Sequence, residues 1–476
     1  MASVSFRHAI GGARSFRISL RDGRTPYARS YDRDVRCQMS NTYNVPTGNL
    51  WRKQARNRVL DRVSDGGVIY MEGGIQQTRN GADGLSPFRQ EANFLYMTGI
   101  PDPDYACTLD TDTGKFTLFV PELPEGMEVW VGAQPSLDDI AQRFGADECL
   151  PKRHMAEAMS ATSQSKLYTL SGVKVPKGAK VGIVNADQLK SVMAECRAVK
   201  LPEEVACLKH ANDISGAAHE AMWRACTPGV YEYQLEAVFL NHTMSAGLRH
   251  QGYPAIVGAG KNSATLHYEH NNKLVKDGDL VLVDAGAEYL GYTADITRTF
   301  PASGRFSAAQ KDLYEAVLKI QEASLKNLKA GLKWESVSWD ASRIASECLL
   351  DLGVVKGSVD SLMEAKIASL FFPHGLGHHL GLQVHDHSPN GPAPTILKEG
   401  NVVTCEPGLY FVDSILGQAL NNTEKKHFLV EDALSSWKHI GGVRIEDDVL
   451  IQSDGIENLT TASKQIADVE AIMQQV

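Results

Sequence analysis

Between about Tyr43 and Cys196, short apolar runs with strand character alternate with stretches of helical periodicity. Gly67–Met71, Lys115–Pro121 and Lys180–Val184 read as strands and Leu50–Val63 as a helix, an alternation that predicts an α/β unit. The pattern changes at Leu201-Pro202-Glu203-Glu204. Proline suits a first helical position and the acids complement the positive end of a helix, so a helix is expected to begin there. Val205, Leu208, Ile214 and Ala218 keep its rhythm up to Cys226, and Thr227-Pro228-Gly229 stops it. Another helix is expected from Ser307, which forms a capping-box pattern with Gln310, to Gly331, and a third ends before Gly353. Strand-like runs follow at Leu280–Asp284, Ala294–Phe300, Asn401–Glu406 and Gly442–Val449. Helices followed by hairpins predict an α+β domain with an antiparallel sheet covered on one face. The expected organisation is an extension over residues 1–42, an α/β domain over 43–199 and an α+β domain over 200–476, with the boundary near Lys200.

Composition narrows the partners. A chain of 476 residues is too long for one core, and 43% hydrophobic against 22% charged residues is ordinary globular material. A balance of 48 basic to 57 acidic side chains argues against nucleic acid or an anionic membrane as partner. No apolar run approaches the roughly 20 residues of a membrane span. A peptide or small-molecule substrate fits better. Eight cysteines at irregular, mostly long separations suggest a reducing compartment. The first 36 residues hold eight arginines and no lysine, a transit-peptide composition that Asp22, Asp32 and Asp34 oppose. The expected location is cytoplasmic, or mitochondrial or plastid if that extension is a transit signal.

Four segments carry candidate chemistry. In the run from Leu280 to Phe300, a turn centred on Tyr289 and Leu290 would set Asp284 opposite Asp295. Like charges so placed repel, and a cation between them resolves the conflict. The segment His374-Gly-Leu-Gly-His378-His379-Leu-Gly-Leu-Gln-Val-His385 packs four histidines and three glycines into twelve residues, which suits a site better than a core. Glu406 and Glu446 each end an apolar strand, where a charge is costly unless paired or on a metal. Four carboxylates and one imidazole match two divalent ions in charge, and oxygen-rich ligation favours manganese, cobalt or zinc. The stretch from Val257 to Asn262 is no phosphate loop, because Ala255 and Asn262 occupy the required glycine and hydroxyl positions.

The segments VDAG, ADITRTFP, HGLGHHLG, CEPGLYF and GGVRIEDD, in that order, resemble the proline-specific metallopeptidases, the prolidases (Xaa-Pro dipeptidases) and aminopeptidases P. Asn44-Val-Pro, Phe88-Arg-Gln-Glu91 and the run from Asp110 to Pro121 extend the likeness to the first domain. The resemblance implies an N-terminal creatinase-like α/β domain, a pseudo-twofold "pita-bread" catalytic domain and a homodimer. It further implies two divalent ions per subunit, manganese in the first instance. Asp284 would hold one ion and His378 and Glu406 the other, with Asp295 and Glu446 bridging. His267 and His385 would contact the proline-containing peptide and stabilise the tetrahedral intermediate, and Glu406 would also move a proton. His374 and Arg444 would support the ligands from behind. His379 stands where prolidases commonly carry phenylalanine and is given no role.

One departure bears on specificity. The loop from His387 to Gly400 lacks the arginine these enzymes use to bind substrate, leaving Lys398 as a stand-in without the planar fork of a guanidinium. The reading is a Xaa-Pro dipeptidase. An aminopeptidase acting on longer peptides is the alternative within the class, and a metal-free binding scaffold the alternative outside it.

Overall fold

The computed structural model describes residues 50–63, 66–161, 166–176, 183–389 and 391–475. The arginine-rich extension and the Asn44-Val-Pro motif lie outside them. Six strands form the first sheet: β1 (Val68–Glu72), β2 (Ala106–Asp110), β3 (Phe116–Val120), β4 (Glu148–Pro151), β5 (Lys166–Tyr168) and β6 (Ile183–Asn185), in spatial order β4-β3-β2-β1-β5-β6. The pairs β3–β4, β1–β5 and β5–β6 are parallel, whereas β1–β2 and β2–β3 are antiparallel, the latter a hairpin. The expected helix at the start spans Arg52–Leu60, and Arg52 and Arg56 on it are buried.

The second half opens, as its proline and acids require, with the helix Pro202–Ala225, where Glu204 accepts a hydrogen bond from the Leu201 amide at 2.8 Å. The helix Ala308–Asn327 begins with the reciprocal cap of Ser307 and Gln310, and Trp334–Asp351 follows. A helix over Glu232–Ser245 was not foreseen. The strands pair antiparallel throughout. β7 (His250–Gln251), β10 (Ala287–Tyr289) and β11 (Tyr292–Thr293) form one small sheet, and β8 (Ile256–Ala259), β9 (Leu280–Asp284) and β12 (Thr297–Pro301) another. β13 (Val402–Cys405), β16 (Asp447–Gln452) and β17 (Gly455–Asn458) form a third, with β14 (Gly408–Tyr410) and β15 (Gly442–Arg444) as a two-stranded ribbon. The strand expected over Gly442–Val449 is therefore two strands, interrupted at Ile445-Glu446.

The join near Lys200 is a buried strap. Val199 bridges to Asn401, the Lys200 amide donates to the Gly400 carbonyl at 2.8 Å, and the Lys200 ammonium meets buried Asp386 at 3.0 Å. Apolar side chains of the first sheet pack in one cluster with Tyr292, Leu380, Leu382 and Val402 of the second half. Residues Tyr43–Val476 accordingly form one compact unit. No helix among the described residues is long and apolar enough to cross a membrane.

Candidate metal centre

β9 delivers its last residue, Asp284, to the end of a fully buried run, and the hairpin beyond it returns Asp295 to the same place. The register differs from the expected one. Glu288 pairs with Thr293 and Tyr289 with Tyr292, so the turn is Leu290-Gly291, and Asp284 faces Thr297. Both turn residues have positive φ, +49° and +87°, the geometry whose twist suits a two-residue hairpin. Asp295 lies two residues before Thr297, which in a pleated strand keeps it on the same face as Asp284's partner. The two carboxylates still converge, diagonally instead of directly opposed.

The histidine segment enters from the other side. Glycine at 377 is required there, since a Cβ would lie 2.1 Å from the Thr404 carbonyl oxygen. The His378 ring places Nε2 3.4 Å from Asp295 Oδ2 and 3.4 Å from Glu406 Oε1, while its Nδ1 lies 3.1 Å from the His379 carbonyl oxygen. A carbonyl only accepts, so Nδ1 carries the hydrogen, and a neutral ring then turns the Nε2 lone pair towards two carboxylates. That arrangement calls for a proton or a cation between them. Ligand atoms of Asp295, His378 and Glu446 all fall within 4.8 Å of one another.

Glu446 sits in the break between β15 and β16 and accepts a 2.6 Å hydrogen bond from Thr297 Oγ1. Arg444 donates through Nε to Thr297 Oγ1 at 2.9 Å, through Nη1 to the Tyr410 hydroxyl at 3.0 Å and through Nη2 to Asp284 at 2.5 Å. The Tyr410 hydroxyl in turn meets His374 Nε2 at 3.0 Å, and His374 Nδ1 donates to the Gly375 carbonyl at 2.8 Å. His374 and Arg444 thus stand behind the cluster. The cluster opens onto a cavity of about 480 Å³ that His267 and His385 also line.

Residues 206–453 match the metallopeptidase family M24, and residues 53–169 match the aminopeptidase P N-terminal domain. The chain belongs to metallopeptidase family M24. It is 36% identical over 434 residues to a probable Xaa-Pro aminopeptidase of Leptosphaeria maculans, covering 87% of this chain and 77% of that one. It is 36% identical over 454 residues to the Xaa-Pro dipeptidase of Homo sapiens, covering 89% and 92%. The structure superposes on zinc-substituted E. coli aminopeptidase P in complex with product with a TM-score of 0.77 at 31% identity, covering 89% of this chain and 97% of that one. The M24 half has the pita-bread fold.

The electrostatics of this M24 site fit divalent ions. Burial lifts Asp284 to about 6 and Glu406 to about 7, against the pull of Arg444 on the first and His378 on the second. Burial also pushes Glu446 well up, with the neighbouring acids adding to the effect. His378 moves the opposite way for its type. Burial disfavours its charge, yet the hydrogen bond to Asp295 and the adjacent carboxylates raise it to about 9. The protein side chains alone leave this cluster short of positive charge. The Tyr253 hydroxyl is buried beside Asp284 and Asp295, where it helps hold their charge.

All nine residues singled out in the sequence line this cavity: Asp284, Asp295, His378, Glu406, Glu446, His267, His385, His374 and Arg444. His379 is buried outside the lining. Tyr253, Thr297 and Tyr410 were missed. Tyr410 lies within the CEPGLYF motif and Thr297 within ADITRTFP, so those motifs held a signal for them, whereas nothing in the sequence distinguishes Tyr253.

Proposed function

We propose that this chain hydrolyses the peptide bond preceding proline, releasing the N-terminal residue from peptides that continue beyond the proline. The observation that carries this reading is the convergence of four carboxylates and one imidazole on a single cavity of peptide-binding size, within a family of metallopeptidases whose curated relatives are named for Xaa-Pro substrates. Asp284 would hold one divalent ion, His378 and Glu406 the other, and Asp295 and Glu446 both. Manganese, cobalt and zinc all suit the donor set. Bound there, the two ions supply water activation near neutral pH and polarisation of the scissile carbonyl.

The side chains do the rest. Glu406 is placed to take the proton from the attacking water and pass it to the proline nitrogen as the C–N bond breaks. His385 stands edge-on to His378 with ring centroids 4.4 Å apart, and burial is the largest cause keeping its pKa low. As a neutral ring it retains one N–H to donate to the developing oxyanion, and His267 lines the same cavity as a second candidate donor. Arg444 fixes Asp284 and, through Thr297, Glu446.

The choice of longer peptides over dipeptides rests on the lining. Among its described residues Arg444 is the one lysine or arginine, and its guanidinium is engaged by Asp284, Thr297 and Tyr410. Lys398 is exposed and outside the lining. A dipeptide brings a free proline carboxylate into the cavity, where no unengaged cation meets it. Manganese-loaded enzyme is expected to release alanine from Ala-Pro-Ala at least tenfold faster, by kcat/KM, than from Ala-Pro, a difference of about 1.4 kcal/mol. Equal or faster cleavage of the dipeptide overturns the choice of substrate length. No cleavage of either peptide after loading with manganese, cobalt and zinc overturns the reaction itself.

A further inference from the structure

Besides the groups assigned to cleavage, the cavity lining holds residues that the reaction leaves unused. Tyr253, Pro254, Ile256, Leu266, Val384, Pro392 and Ala393 form a largely apolar wall, and His267 and His385 stand on it. Among the described residues of the wall, Glu269 carries the one carboxylate, and no lysine or arginine accompanies it. It is exposed, and no described residue offers it a hydrogen bond or an ion pair.

The loop that presents Glu269 is held firmly. The Glu232 carboxylate, buried at the start of its helix, accepts the Ala259 amide and Asn262 Nδ2 on one oxygen, each at 2.9 Å. Its other oxygen accepts the Tyr268 hydroxyl and the Lys273 amide, each at 2.8 Å. Asn271 ties the far side of the loop to the Ala255 carbonyl at 2.8 Å, to the Val257 amide at 2.9 Å and to Glu236 at 2.9 Å. Glu269 therefore sits between two anchored residues, Tyr268 and Asn271, and its position costs little further ordering when a ligand arrives.

An apolar wall bearing a single unpaired carboxylate matches one kind of side chain. Lysine and arginine lay their methylene stems along apolar surface and project a cationic head, and arginine pairs with a carboxylate in a bidentate fork. We infer that Glu269 is a specificity-determining residue that selects peptides carrying a basic side chain, arginine above all, on a residue adjoining the proline. The inference rests on the reading of this cavity as a peptide site. The basic residue is either the one before proline or the one after it, and the two positions are separable by experiment.

The test compares kcat/KM for Ala-Pro-Ala, Arg-Pro-Ala and Ala-Pro-Arg in the manganese-loaded full-length enzyme and in Glu269→Gln. In the wild type at least one arginine peptide is expected to exceed Ala-Pro-Ala by about fivefold or more, with the responding peptide giving the position. That ratio should fall towards one in Glu269→Gln and should shrink with added salt, because the carboxylate is exposed. Ratios near one for both arginine peptides in the wild type overturn the inference, as does a preference that survives Glu269→Gln. If Ala-Pro-Ala is not cleaved at all, the proposed reaction fails on its own account. Calorimetric titration with the same three peptides then decides the role of Glu269 by the same ratio of affinities.

Discussion

Arg444 joins parts of the site that lie far apart in the sequence, since one guanidinium reaches Asp284, Thr297 and Tyr410. A lysine would keep the charge, but its donors all radiate from one nitrogen and could not span the separate positions that Nε, Nη1 and Nη2 reach. Arg444→Lys is expected to lower kcat/KM on Ala-Pro-Ala by about 10- to 100-fold and to weaken metal binding comparably, as loss of outer-shell support commonly does. Steady-state kinetics with a metal titration checks this, and unaltered metal affinity would remove Arg444 from its supporting role. The five carboxylate and imidazole groups were legible in sequence because a charge at the end of an apolar strand demands a partner. Thr297 lies within the ADITRTFP motif, but its role shows only when its hydroxyl is seen on Glu446, because threonine inside a strand is otherwise unremarkable.

At the scale of elements, one glycine and one strap set where the site residues fall. Gly291 has φ +87°, and a Cβ there would meet Leu95 Cδ2 at 2.4 Å. Gly291→Ala is expected to cost about 1–3 kcal/mol, read as a lower denaturant midpoint at unchanged slope. A midpoint within a tenth of a molar of wild type would show that the turn does not need glycine. The strap fixes the segment that follows His385. Asp386 is buried against Arg197 and Lys200. Burial pushes its pKa up, but these two cations outweigh burial and hold it at about 2.

An unperturbed aspartate titrates near 3.9, so the unfolded chain takes up this proton first as the pH falls. The stabilisation is complete above about pH 4 and is lost as the pH drops through about 2, a loss of about 2–3 kcal/mol. Asp386→Asn should cost about 3–5 kcal/mol at pH 7, because two buried cations lose their counter-charge. It should also show a flatter fall in stability between pH 4 and 2. Parallel acid limbs in the two proteins would show that Asp386 does not carry this pH dependence. The strap was marked in sequence as a domain boundary, since Leu201-Pro202 starts a helix, and local pattern gave no sign that Lys200 would be buried.

For the whole molecule, ions that bind the folded chain and not the unfolded one stabilise it by about 2.7 kcal/mol at a hundredfold excess over their dissociation constant. Chelation should lower the unfolding temperature by several degrees, and manganese should restore it. Elemental analysis after manganese loading should find two ions per chain. Fewer than one per chain, with no thermal shift, would favour the metal-free scaffold over the enzyme.

Periodicity placed the three longest helices, apolar strands and the change from α/β to α+β, because these depend on neighbours a few residues apart. Residue chemistry placed the five charged or ligating side chains and the acid-rich, histidine-rich character of the site, because an isolated charge in an apolar strand is costly wherever it lies. Hairpin register, the sharing of one apolar cluster across the expected boundary and the cavity wall that displays Glu269 were decided in three dimensions. The register follows the left-handed Leu290-Gly291 turn, and the shared cluster and the wall bring together residues far apart in the chain, as Arg197 and Asp386 are. No local pattern in the chain encodes such a distance.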